Sequence, residues 1–121
     1  MKRGPWWWAA AWALLIEVMV LWPYPPEVPE PFHFIGLDKL VHASLFGVQA
    51  ALVAPALRAG ARPWWPAVVG VIAFGAFTEL EQHFIPSRSM ELDDFFADTV
   101  GALIGAGLFA ALARRRQELH R

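Results

Sequence analysis

The sequence has no cysteine, which excludes a disulfide scaffold, a thiol nucleophile and a Cys-ligated zinc site. Charge is scarce as well: 17% of the 121 residues are charged, against roughly 25% in a soluble domain. With a net charge of -1 and no Gly-aromatic reading surface, nucleic acid is excluded as a partner. What is abundant is apolar: 57% of residues are hydrophobic, too many for a disordered chain. At this length one domain is the limit, and the composition points to a small integral membrane protein.

A bilayer core of about 30 Å takes about 20 mostly apolar residues per helix. Four stretches meet that demand, at about 5–22, 38–57, 66–85 and 94–113, so the expected fold class is an all-α membrane protein, a four-transmembrane-helix bundle. Pro5, Pro66 and Pro86 stand where helices start or must stop. The stretch 23–37 carries five prolines and reads as an extended outer loop. Lys2 and Arg3 ahead of an apolar run also fit a cleaved signal peptide, but Glu17 inside the run and the lack of a small-x-small site argue against it.

Orientation follows from the cations. With the N-terminus cytoplasmic, Lys2, Arg3, Arg58, Arg62, Arg114, Arg115, Arg116 and Arg121 lie inside, and Lys39 and Arg88 outside. Both termini are then cytoplasmic. Trp6, Trp7, Trp8, Trp64 and Trp65 fall at the inner interface, and Trp22, Tyr24, Phe32 and Phe34 at the outer one.

Ionisable groups in a spanning helix are costly and need a reason. Asp38, His42 and Gln49 share one stripe of the second stretch; Glu79, Gln82 and His83 share one of the third, with Glu81 pointing away and expected to snorkel to the outer interface. Asp94 and Asp98 stand at i and i+4 in the fourth, and Gly101 and Gly105 continue their stripe as a helix-packing face, for which Gly70 and Gly75 are plausible counterparts. Glu79 lies 13 residues from Pro66, about 20 Å along a helix, and Glu17 is at similar depth. All these groups fall in the outer half, which implies a polar pocket opening to the extracytoplasmic side.

Three pieces stand in order: Asp38-Lys39-x-x-His42; Glu79-x-x-Gln82-x-Phe84-x-Pro86-x-Arg88; and Asp94-x-x-x-Asp98-x-x-Gly101-x-x-x-Gly105. Together they resemble the VanZ-like family of small bacterial membrane proteins over about residues 38–107. That family's third piece has Asn where this chain has Asp98, which adds one potential negative charge. The resemblance implies a bacterial cytoplasmic-membrane location and an association with resistance to the lipoglycopeptide teicoplanin.

The pocket candidates are Asp38, His42, Glu79, Gln82, Arg88, Asp94 and Asp98. One reading is an interhelical network in which Arg88 pairs with Asp94 or Glu79. Another is a ligand site for an envelope lipid, a lipid-linked envelope precursor or a lipoglycopeptide. The surplus of carboxyls also suits a divalent metal on His42, Glu79, Asp94 and Asp98. A metal-dependent or acid/base hydrolase or transferase, and a structural or assembly subunit, are the further alternatives.

Overall fold

A computed structural model describes residues 4–23, 35–57, 64–87 and 90–121. It consists of four helices: α1 (Trp6–Leu21), α2 (Ile35–Ala56), α3 (Trp65–His83) and α4 (Leu92–Leu119). Arg88, the prolines between Trp22 and Phe34 other than Pro23, Tyr24, Phe32, Phe34, Arg58 and Arg62 lie outside the described residues.

The helix ends follow from local chemistry. Pro5 caps α1 in an extended conformation, and Trp22, which precedes Pro23, leaves the helical region at φ −60°, ψ 123°. Pro66 occupies the first turn of α3, where its missing N–H costs no hydrogen bond. Phe84 and Ile85 then close α3 with tightened bonds to Glu81 O and Gln82 O, both 3.1 Å, before Pro86. α2 ends just past Pro55, whose carbonyl accepts from Gly4 N–H at 2.8 Å.

Two of the expected boundaries differ by three residues or more, the rest by one or two. α2 begins three residues earlier, at Ile35. α4 runs to Leu119, six residues past the expected end, because Arg114-Arg115-Arg116-Gln117-Glu118-Leu119 are all good helix formers with no breaker among them. Polarity ended the apolar run without ending the helix.

Pairings along the helices set their directions. Lys39 meets Asp94, and Gly47 meets Gly101, so α2 and α4 are parallel. Gln82 meets Val20, so α1 and α3 are parallel and run opposite to the other two. The largest interface is between α2 and α4. It depends on glycine: a Cβ on Gly101 would overlap Ala43 O, and one on Gly105 would overlap Gly47 O. The partner of this glycine pair is therefore α2, not the expected α3. Gly70 has nothing near it, while Gly75 leaves room for Asp98.

The core holds Ile16 and Val20 of α1, Phe46 and Ala50 of α2, Val68 and Val71 of α3, and Ala102 and Ala106 of α4. Phe46 is fully buried and tilts against Phe74 at 5.7 Å. Large apolar side chains also face outward, among them Leu14, Val18, Phe77, Leu80, Ile104, Leu108 and Leu112. Two helices, over Gly36–Ala56 and Leu92–Leu119, are long and apolar enough to cross a membrane, and Trp6–Leu21 is a shorter apolar helix.

Candidate functional site

The polar stripes converge where α2 and α4 begin and α3 ends. From α2 come Asp38, Lys39 and His42, each one turn or less from the next, so that one face carries all three. Glu91 caps α4, and Asp94 and Asp98 follow on successive turns. Glu79 comes from the last turns of α3. The close glycine crossing of α2 and α4 is what lets short aspartates reach across.

Two linked clusters result. In the outer one, Lys39 Nζ donates to Asp38 Oδ2 and Glu91 Oε2, both at 3.0 Å, and to Asp94 Oδ1. All three ammonium protons are thereby used. Asp38 and Glu91 are at least half exposed, whereas Asp94 is buried.

The inner cluster is buried. His42 Nδ1 lies 2.9 Å from Asp98 Oδ1, and its Nε2 lies 3.6 Å from Asp94 and 3.9 Å from Asp38. With its proton on Nδ1, the ring donates to Asp98. Glu79 Oε2 accepts from Glu91 N–H at 3.1 Å, which ties α3 to the start of α4. Glu79 Oε1 and Asp98 Oδ2 are buried and have no hydrogen-bond partner among the described residues. Two triads, Asp38–His42–Asp94 and His42–Glu79–Asp98, have ligand atoms within 4.8 Å of one another, so each is of a size to hold a metal ion.

Of the residues singled out from sequence, Asp38, His42, Glu79, Asp94 and Asp98 come together. Gln82 is buried nearby but turns to α1, donating to Val20 O at 2.8 Å. Gln49 likewise leaves the stripe of His42 for Ala9 O at 3.1 Å. Glu17 does not join the cluster: it faces Glu81 across α1 and α3. Glu81 is half-buried, and one of its carboxylate oxygens is buried. Arg88 lies outside the described residues, and the cation on Asp94 is Lys39.

Lys39 stands in the sequence as an outer charge and as part of the Asp38-Lys39-x-x-His42 piece, but neither it nor Glu91 was among the pocket candidates. The signal was available. Lys39 is i−3 to His42 and Glu91 is i−3 to Asp94, so each belongs to a stripe already identified.

An apolar groove begins at Leu40, beside Lys39, and runs between α2 and α4 past Gly47 and Gly105 to Leu112. A polar site thus sits at one end of an apolar channel open along its side.

Compared with known proteins, residues 6–114 match the family model described as VanZ/LLP1. No curated protein and no solved structure matches the chain.

Proposed function

This chain belongs to the VanZ/LLP1 family, and we propose that it is a four-span protein of the bacterial cytoplasmic membrane whose outer pocket binds the polar head of an envelope lipid or amphiphile. The outward-facing belt of Leu, Phe, Val and Ile side chains supports the membrane placement, since water would not tolerate so much contiguous apolar surface. The excess of Lys and Arg on the opposite end supports an extracytoplasmic pocket.

The observation that carries the reading is the joining of the polar cluster to the groove. An amphiphile needs a site for its head within reach of an apolar track for its chain. Asp38, Lys39, Glu91 and Asp94 form the first, and the α2–α4 groove starting at Leu40 forms the second. The family association with teicoplanin, itself an acylated amphiphile, makes that compound the first probe.

The test compares wild type with the combined Asp38→Asn, Glu79→Gln and Asp94→Asn variant at equal membrane abundance. Teicoplanin binding by reconstituted protein and teicoplanin susceptibility of the cells are the two readouts. Both should fall to the level of cells and vesicles without the protein. Unchanged binding and susceptibility would overturn the reading.

A hydrolase or transferase acting on a lipid-linked substrate is favoured by one observation, the buried His42–Asp98 contact with Glu79 beside it. Turnover by purified protein, abolished in His42→Ala, would make the site catalytic.

A further inference from the structure

We infer that His42, Glu79 and Asp98 bind a divalent first-row transition-metal ion. One imidazole nitrogen and two carboxylate oxygens form a mixed N/O set that suits zinc, manganese or ferrous iron. The three residues come from three different helices and are all buried. Ligands at about 2.1 Å from a common ion sit about 3–3.5 Å apart. The ligand atoms of the triad all lie within 4.8 Å of one another, so they surround a space of that order.

The unpartnered oxygens distinguish this triad from an ordinary acidic patch. Glu79 is 4% and Asp98 1% exposed, yet Glu79 Oε1 and Asp98 Oδ2 have no hydrogen-bond partner among the described residues. A buried carboxylate oxygen without a partner is expensive. Asp98 Oδ2 points at Gly75, and Glu79 stands one turn beyond on the same face of α3. The two orphaned groups therefore address the same space.

Among the described residues, Lys39 does not relieve them. Lys39 uses its three donors on Asp38, Glu91 and Asp94, which leaves the inner carboxylates to His42. The same accounting selects this triad over Asp38–His42–Asp94, where Lys39 already holds both aspartates and Asp38 is largely exposed. Asp98 also replaces the Asn of the family pattern, so the second anionic ligand is a property of this chain.

An ion here has a consequence that rests on the headgroup reading above. Five carboxyls around one lysine and one histidine repel a phosphate or carboxylate head. A bound dication offsets the charge of the two inner carboxylates and offers such a head an open coordination position.

The experiment uses full-length protein in detergent. Metal content per chain is measured as purified, and melting temperature is followed after chelation and addition of Zn2+ or Mn2+. Wild type should hold about one equivalent and gain stability on metal addition. Glu79→Gln and Asp98→Asn should each weaken binding by at least about tenfold. Gln49→Leu, whose side chain turns to α1 and touches neither cluster, should bind as wild type does. The melting temperature of metal-free Asp98→Asn beside metal-free wild type separates loss of metal from misfolding. Wild type without metal and without a melting response overturns the inference, as does equal binding by Glu79→Gln. Teicoplanin binding measured in parallel separates the two readings: metal bound, with teicoplanin binding unaffected by chelation, leaves the metal site standing and removes its link to the headgroup.

Discussion

α4 meets α2 through backbone, whereas α1 meets the bundle through side chains. At the first contact, glycines at positions 101 and 105 bring main chains together with no room for a Cβ, and Gly47 is tight against Gly101 O. At the second, Trp12 donates to Leu45 O at 2.9 Å, Gln49 to Ala9 O and Gln82 to Val20 O, while Ile16 and Val20 fill space. Backbone contact has no rotamers with which to adjust, so α2 and α4 hold a fixed register. The site draws on that rigidity: six of its seven ionisable groups lie on or at the cap of these two helices, and Glu79 is the exception. α1 supplies none of them.

The contrast is broken most directly by Gly105→Leu. Its side chain would enter the space of Gly47 O, which cannot rotate away, so a loss above about 3 kcal/mol is expected. Unfolding of the purified variant in mixed micelles should show it as a collapsed transition, and stability within 1 kcal/mol (about fivefold) of wild type would refute the backbone-contact argument.

A smaller effect is expected from Lys39→Met, which leaves Asp38, Glu91 and Asp94 without their shared cation. Asp94 is the buried member, and the half-exposed partners are screened, so about 1–3 kcal/mol is appropriate. Restoration of most of that loss by adding Asp94→Asn would identify the buried carboxylate as its source. A double variant no better than the single one would place the effect elsewhere.

The smallest change is expected from Gln49→Leu, which removes one hydrogen bond to a helix carbonyl. Such bonds between spanning helices contribute about 0.6 kcal/mol. The same micelle unfolding assay should detect little, with the α2–α4 register and metal content as in wild type. A loss comparable with Gly105→Leu would mean that α1 is as integral as α4.

Much of this was legible before any coordinates. α1 is bounded by Pro5 and Pro23 and α3 by Pro66 and Pro86, and proline acts through its own ring and missing N–H, whatever surrounds it. Asp38 with His42, and Asp94 with Asp98, could be grouped because helical periodicity is a local property. The partner of the Gly101/Gly105 face was not legible. The sequence reading pointed to Gly70 and Gly75, and only the packed bundle identifies Gly47.

By itself, the sequence determined four helices, their order and the stripes that Asp38 shares with His42 and Asp94 with Asp98. These follow from spacing, proline positions and composition. Tertiary structure alone decided that α2 and α4 cross at glycine, that Gln49 and Gln82 turn to α1 rather than to the acids, and that Glu17 faces Glu81. It also divided the ionisable groups into a cluster neutralised by Lys39 and a buried one around His42. Those outcomes depend on which side chains can reach one another once helices approach, and such distances are a property of the assembled bundle.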